Sequence, residues 1–285
     1  MKLKFEKKSV FVFCAYFFAF FSLAAQSRVQ EISRDDEKDL KVKLEYAAGK
    51  VSLGKISDDK LCRIAIREMN NELTPNVRYE KDGTSGYLAI DMNENESVGV
   101  FDIGDQKLEM EFTDKIPVSF NLEMGACEGK FDFSNLRVKD LSLSMGASSA
   151  DILFNAKNKD RINKLKIEAG VSKLNIIGLS NANFDKMEFD GGVGSYMLDF
   201  SGNLSQYSKC NISLGLGKLT IRVPKNLNVK IRTEDSFLAS IRISEEDFIR
   251  KSGGTYYSVN FDESEPFLDL FIETGMGNLK VQAIE

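Results

Sequence analysis

The residues that could do chemistry in this 285-residue sequence are carboxylates, tyrosines and cysteines, because histidine and tryptophan are absent. Without imidazole, a serine or cysteine nucleophile lacks its usual base, and histidine-ligated zinc, copper or haem is excluded. The net charge of −5 falls to about −8 without residues 1–25, which hold four lysines and one glutamate. An acidic product argues against nucleic acid as a partner.

Paired carboxylates would be the natural catalytic device, as in glycosidases and pectin-cleaving β-helices. Asp132 and Asp199 occupy equivalent positions of a repeat that runs through the chain, three layers apart. At ~4.8 Å per layer they would lie roughly 14 Å apart, beyond the ~5 to 9.5 Å of paired acids. Asp132 and Asp151 fall on adjacent layers, but at outward positions where solvated carboxylates are expected. The sequence therefore predicts no catalytic residue.

Acidic clusters could hold calcium, but none shows the alternating oxygen ligands of a calcium loop, so we interpret them as solvated charge. The clusters are Glu234-Asp235, Glu245-Glu246-Asp247 and Asp262-Glu263-Ser264-Glu265. The segment 191–195 begins like a calcium-binding nonapeptide repeat, but Tyr196 stands where the ligand aspartate belongs. We expect neither a metal nor a cofactor.

The cysteines that follow residue 25 are Cys62, Cys127 and Cys210, an odd number without a Cys-x-x-Cys motif. Cys127 and Cys210 belong to copies four layers apart, roughly 19 Å and beyond disulfide reach. We predict free thiols that act as small apolar side chains.

The elements that must position these residues repeat one pattern, anchored on a glycine every 21 to 24 residues. The anchors are Gly125, Gly146, Gly170, Gly192 and Gly215. Apolar residues stand five and three positions before each glycine and six after it, with polar residues between the first two, and this alternation indicates strands. Two further copies at 42–53 and 270–281 make about seven. The predicted fold class is all-β, a β-helix or β-solenoid.

The chain divides into four predicted segments. Residues 1–27 read as a cleavable export signal, with a basic start, an apolar run and small residues for cleavage; an uncleaved anchor is the alternative. Residues 28–41 are expected to be a flexible arm. Residues 42–115 are an N-terminal β segment continuous with the solenoid, and 116–285 the solenoid itself, with a capping loop near 236–260.

Within these segments the pattern makes four local predictions. Residues 57–73 favour a strand over an amphipathic helix, and 82–86 signal a β-hairpin. A helix start is expected at 244–247, and 253–257 is a turn into a strand. Tyr196 falls in an inner column, which favours a core position.

The largest interruption of the repeat follows Pro224, and interruptions of a solenoid emerge as loops on one face, often the binding face. We therefore place a possible partner contact in this loop. Its candidate residues are Tyr256, Tyr257, Glu245, Glu246 and Asp247. The alternative is an ordinary closing loop over the end of the stack.

Ile116-Pro117 followed by FNLEMGACEGKFDFSNLRVKDLSLSMGASSADILF, and later GLSNANFDKMEFDGGVGSYMLDFSG and ISLGLGKLTIRVP, resemble a known family. They look like the toast-rack domain of bacterial envelope proteins, related to LiaF-type C-terminal domains and to proposed adhesins. The resemblance covers about 42–283 and implies a right-handed β-helix, without an assigned activity or catalytic residues. LiaF-type proteins carry transmembrane helices before this domain, whereas this chain shows only an export signal.

Together these features predict an exported, non-enzymatic binding or scaffold module of the cell envelope, linked to envelope stress or adhesion. Its expected partner is an envelope protein or a cell-wall component, in the periplasm or at the cell surface, without stable membrane insertion after signal cleavage. The alternative is a carbohydrate-active β-helix that uses outward carboxylates and exposed tyrosines on a cell-wall or extracellular polysaccharide.

Overall fold

The computed structural model describes residues 26–68, 75–91, 106–234 and 238–285. Residues 1–25 of the predicted export signal (1–27) lie outside this part, as do Asp235 and Ser236, whereas residues 26 and 27 belong to the described structure. Among the described residues the regular structure is strand, apart from a 3₁₀ turn at Leu179–Ala182.

Seven long strands form the body of the molecule: β2 (Asp39–Lys55), β7 (Val118–Asp132), β8 (Val138–Leu153), β9 (Ile162–Ile177), β10 (Phe184–Asp199), β11 (Ser208–Pro224) and β16 (Leu268–Ile284). The shorter strands are β1 (Gln26–Ser33), β3 (Lys60–Glu68), β4 (Asn76–Asp82), β5 (Ser85–Asp91), β6 (Lys107–Phe112), β12 (Val229–Thr233), β13 (Ala239–Ile243), β14 (Phe248–Arg250) and β15 (Thr255–Ser258).

The long strands stack in parallel in the order β2-β7-β8-β9-β10-β11-β16, so each repeat copy is one rung of a solenoid. Equivalent residues are direct neighbours: Leu122 pairs with Leu143, Leu143 with Ile167, and Ile167 with Phe189. The predicted β-solenoid of seven copies is therefore confirmed. Its stacked inner residues form one continuous buried core.

Six of the seven long strands bend at their anchor glycine, as shown by a change in the side of the chain that faces the core; in β2 the anchor position is Ala47. In β7, Met124 is buried, Gly125 and Ala126 are exposed, and Cys127 is buried again. The residues on both sides of the bend belong to the same core cluster. The inward-facing residues of the two halves of a rung thus pack toward one another.

The glycines are needed at this corner because successive rungs approach closely. A Cβ on Gly192 would lie 2.5 Å from the carbonyl oxygen of Gly170, and one on Gly275 would lie 2.6 Å from that of Gly215. Two positions further on, Gly217 and Gly277 have φ angles of 134° and 139°, which L residues rarely adopt. Gly217 and Gly277 are therefore corner residues, at positions where a side chain is strongly disfavoured.

Both ends of the stack are covered by short strands, which, apart from β1, come between two long strands in the sequence but lie outside the first and last rungs in the sheet. β5 and β6 pair with the two halves of β2, and β3 and β1 continue the sheet beyond β6. At the other end β12 and β13 pair with the two halves of β16, and β15 and β14 follow β12. Arg232 of β12 donates to Asp269 of β16 at 2.9 Å, which ties this cap to the last rung.

Two local predictions are wrong. Residues 28–41 do not form a free arm, since most of β1 lies there, paired with β3 along its length and with Ile32 buried. The helix start at 244–247 is a turn between β13 and β14, in which the Ser244 hydroxyl donates to Asp247 at 2.7 Å. In both cases strand pairing outweighs the local preference: β1 pairs with β3, and the strands on either side of the turn pair with β16 and β15.

Other local predictions are confirmed. Strand β3 occupies 60–68, where a helix was the alternative. The hairpin β4–β5 turns at Gly83, whose φ is 58°, and β15 follows the turn at 253–254. Tyr196 is 1% exposed, as expected of a core position.

Candidate functional site

The predicted contact residues 245–247 and 256–257 lie in the C-terminal cap, but the structure divides them. Tyr257 lines a surface cavity of about 520 Å³, and Glu246 and Asp247 line an adjacent one of about 330 Å³ that shares Ser258 and Val259 with it. Tyr256 packs against the core, and Glu245 is exposed. These five residues therefore lie in one cap but do not all line the same cavity.

The outward carboxylates considered for catalysis have structural roles. Asp132 accepts a hydrogen bond from the backbone of Ser134 at 2.9 Å, and Asp151 accepts one from the Asn175 amide at 2.8 Å. Asp199 is 4% exposed and contacts Arg222 at 3.2 Å. In the register between β7 and β8, Asp151 lies opposite Lys130 and Asp132 lies opposite Leu153, so the two carboxylates are not direct neighbours.

A groove of about 670 Å³ crosses the outward face of the sheet near the N-terminal cap, and we call it the Tyr87 groove. It spans β4, β5, β2, β7, β8 and β9, which are consecutive neighbours in the sheet. Small outward residues, Ala89, Ser119 and Ser142, leave its floor open. Their positions follow from strand alternation, since Leu88 and Ile90 on either side of Ala89 are buried.

Tyr87 stands at one side of this floor with its side chain 38% exposed. The Lys41 ammonium lies 4.9 Å from the centre of the Tyr87 ring and donates to its hydroxyl at 3.3 Å. This contact orients the ring and provides a cation–π interaction. The pair offers an incoming ligand an aromatic surface beside a positive charge.

The electrostatics of the Tyr87 groove are mixed, with an excess of cations. Lys43 contacts Glu45, and this hydrogen bond raises the pKa of Lys43. Arg78 contacts Asp91 at 2.6 Å, while Ser119 donates to Asp140 at 3.0 Å. The lining also includes Lys164 and Glu80.

This arrangement is suited to binding a ligand. It presents apolar surface with a few polar groups, as ligand grooves commonly do. Its carboxylates, Glu80 and Asp140, sit on strands separated by β5, β2 and β7, so they do not form a close pair. A ligand with an apolar face and oxygen acceptors would match the ring, the ammonium groups and the hydroxyls.

Sequence reasoning missed the Tyr87 groove. The sequence predicts only that Tyr87 follows a hairpin turn at 82–86, because nothing in the repeat predicts that β5 pairs with the first rung. A weak signal exists, since the outward positions next to this strand pairing hold small residues, Ala89 and Ser119. That signal becomes readable only once the register is known.

The three cysteines of the described part are free and buried, which confirms the prediction. Burial raises the pKa of Cys62 and Cys127 to about 12 and also raises that of Cys210. The structure thus places the thiols in the core rather than at a reactive site.

We expect the folded protein to react with iodoacetamide at about pH 8 at least about 100-fold more slowly than a free thiol, because the thiolate is scarce and shielded. Mass spectrometry of the alkylated chain from Gln26 onward measures this. In denaturant all three thiols should react at the ordinary rate. Fast labelling of any of them in the native protein would contradict the buried assignment.

No helix in the part of the chain that the structure describes has the length and apolar character to cross a membrane. The model of a family described as the N-terminal domain of toast_rack, DUF2154, matches residues 23–177 and 164–222. None of the curated proteins matches the chain.

Solved structures that match the chain include three bacterial proteins. A proposed cell adhesion protein from Clostridium sporogenes is 19% identical with a TM-score of 0.48, covering 91% of this chain and 99% of its own. A proposed adhesin from Bacteroides fragilis is 9% identical with a TM-score of 0.32, covering 91% and 98%. A proposed lipid binding protein from Parabacteroides distasonis is 12% identical with a TM-score of 0.36, covering 90% and 96%.

Proposed function

The chain belongs to the toast_rack N-terminal domain family, and from that membership we propose that it is a non-enzymatic binding module of the bacterial cell envelope. It is exported by a leader that is cleaved within residues 1–27, and it uses its solenoid as a rigid scaffold. The Tyr87 groove binds a cell-wall or surface component without changing it chemically. A role in adhesion or in envelope stress is the finer form of this proposal.

The observation that carries the proposal is the Tyr87 groove itself. An aromatic ring is held at the surface by Lys41, above a floor of small residues, in a cavity of about 670 Å³. Exposed aromatic rings with nearby hydrogen-bonding groups provide much of the binding energy at recognition sites. Nothing in the packing of the sheet requires Tyr87 to be aromatic, since its side chain faces outward.

Two features support a function without catalysis. The sequence lacks histidine, which removes the usual general base at neutral pH. The outward acids Asp132 and Asp151 hold backbone and side-chain hydrogen bonds instead of facing each other. Support for export comes from the basic start and apolar run of residues 1–25.

We expect Tyr87→Ala to weaken binding of the chain from Gln26 onward to isolated bacterial cell-wall material by about tenfold, through loss of stacking and hydrogen bonding. Sedimentation with purified cell walls and, separately, with membrane vesicles measures the bound fraction. The comparison shows whether the bound component belongs to the cell wall or to the membrane. Tyr87→Phe should keep most of the binding, because it keeps the ring.

The matched control is Tyr257→Ala, which removes the sequence-predicted contact in the C-terminal cap. Unchanged binding in this variant, with loss in Tyr87→Ala, supports the groove. If only Tyr257→Ala lost binding, the contact would lie in the C-terminal cap rather than in the Tyr87 groove, and the proposed binding role would still hold. Absence of binding to either material by the unaltered protein would contradict the proposed function.

A further inference from the structure

A ridge of exposed apolar side chains runs along the outer corner of the solenoid, at the position that follows each anchor glycine. The register aligns Ala126 with Ala147, Val171 with Val193, and Leu216 with Met276. In the cap, Leu238 precedes Ala239, which pairs with Gly277, so Leu238 continues the line beside Met276. The apolar ridge is defined by Val171, Val193, Leu216, Met276 and Leu238.

These five side chains are between 43% and 64% exposed. Single exposed apolar residues are ordinary, but a contiguous run of them marks an interaction surface. The corner itself does not require them, since Ala126 and Ala147 occupy the same position two and three rungs into the stack. At about 4.8 Å per rung the ridge is about 19 Å long.

The anchor glycines form the floor of a groove beside this ridge, because they carry no side chain. This corner groove has a volume of about 1140 Å³ and extends from Ala47 in the first rung to Gly215 in the sixth. Val171, Val193 and Leu216 follow its last three glycines, whereas Met276 and Leu238 continue the ridge beyond the end of the groove. Its glycines are exposed at Gly125, Gly146 and Gly170. A partner can therefore approach the backbone closely, between the apolar ridge on one side and a second wall on the other.

The second wall is acidic. Along the groove, the residue two positions before each anchor is Glu45, Glu123, Ser144, Glu168, Asp190 or Ser213, and Glu273 continues this acidic column in the seventh rung, beyond the groove. The lining of the corner groove contains four carboxylates and neither lysine nor arginine. Glu45 and Glu168 contact neighbouring lysines, whereas Asp190 and Glu273 make no such contact in the described structure.

From these columns we infer that the corner groove docks an amphipathic, cationic α-helix of another protein. The apolar stripe of the helix packs on the ridge, and its lysines or arginines face the acidic column across the glycine floor. This helix-in-groove mode needs an apolar groove with charge complementarity along its length. The surface is separate from the Tyr87 groove, so the inference goes beyond the function proposed above.

The dimensions favour a helix over a second copy of the chain. A helix rises about 1.5 Å per residue, so about 13 residues cover the 19 Å ridge. A ridge one side chain wide is a poor match to the ~1,200 Å² that stable dimers bury. Lys173 and Lys218 lie two residues after Val171 and Leu216, on the side of the ridge away from the anchor glycines. Because these lysines would repel cations, the lysines or arginines of the helix face the anchor glycines instead.

The test uses a synthetic 14-residue helix of leucine and lysine, with leucines on one face. Fluorescence anisotropy measures its affinity for the chain from Gln26 onward. We expect Val193→Ser with Leu216→Ser to weaken binding about tenfold by removing apolar contact. Asp190→Asn with Glu273→Gln should weaken it several-fold at low salt and flatten its salt dependence.

Matched controls keep the test specific to this surface. Val259→Ser changes an exposed apolar residue in the cap, and Glu188→Gln changes an exposed carboxylate of β10 outside the groove. Tyr87→Ala removes the ring of the Tyr87 groove. All three should bind the leucine–lysine helix as the unaltered protein does, which separates a failure here from a failure of the proposed function.

Four results of the peptide-binding test would overturn the inference. They are no binding of the leucine–lysine helix, equal binding of a scrambled peptide of the same composition, equal binding of a leucine–glutamate helix, and equal loss in the control variants. A dimer seen by analytical ultracentrifugation and abolished by Leu216→Ser would also overturn it, because the ridge would then be covered by a second copy. Retained monomer with the expected pattern of losses supports it.

Discussion

Gly217→Ala is expected to lower the free energy of unfolding by about 4 kcal/mol. The φ of 134° at Gly217 lies where a Cβ is strongly disfavoured, and the added Cβ would overlap the carbonyl oxygen of Gly194 in the preceding rung. Relief would require the two rungs to separate, which breaks the stacked register on both sides. A small local shift of the backbone therefore cannot accommodate the added Cβ.

Urea unfolding followed by circular dichroism measures this change. The matched control is Gly54→Ala, because an added Cβ there has no atom within 4 Å. We expect Gly54→Ala to change the free energy of unfolding by less than about 1 kcal/mol, since only the backbone entropy of the unfolded chain is altered. Similar midpoints for the two variants would contradict the close-approach explanation.

Phe133→Ala is expected to lower the free energy of unfolding by about 3–5 kcal/mol. Phe133 is 1% exposed and lies in a column of rings, 5.5 Å from Phe120 and 5.4 Å from Phe154 between centroids. Phe112 extends this column into the N-terminal cap. Truncation leaves a cavity that two neighbouring rungs border, so relaxation is limited by their hydrogen bonds.

The comparison for this prediction is Phe261→Ala. Phe261 also contacts two rings, Tyr257 and Phe267, but it is partly exposed on the cap. We expect less than about 2 kcal/mol there, because less area is removed from water. Thermal unfolding by calorimetry measures both variants. A larger loss for Phe261 than for Phe133 would show that the cap, not the ring column, limits stability.

The repeat could be predicted from the sequence because it depends on the local alternation of apolar and polar residues and on the anchor glycines. Leu122, Leu143 and Ile167 alternate with polar residues, and this pattern fits a strand with one buried side. The anchor glycines mark the corner because no other residue fits between successive rungs. Stacking then follows, since a single rung cannot bury its apolar side alone.

The caps were less predictable, because their strands pair with partners far away in sequence. β1 joins β3 more than 30 residues later, as in the pairing of Arg28 with Ile66. The charged composition of residues 28–41 gives no sign of this pairing. Likewise the acidic turn 245–247 resembles a helix start until β13 and β14 occupy the residues on either side.

The sequence by itself determined the inner columns, the number of rungs, the corner glycines and the inert core thiols, since each depends on residue type and short-range spacing. Only the tertiary structure decided where the candidate binding surfaces lie. The Tyr87 groove brings together Lys41, Tyr87 and Ser119, whose strands become neighbours only when β5 pairs with the first rung. The apolar ridge likewise appears when parallel stacking turns one exposed residue per copy into a continuous line, since stacking converts sequence period into spatial contact.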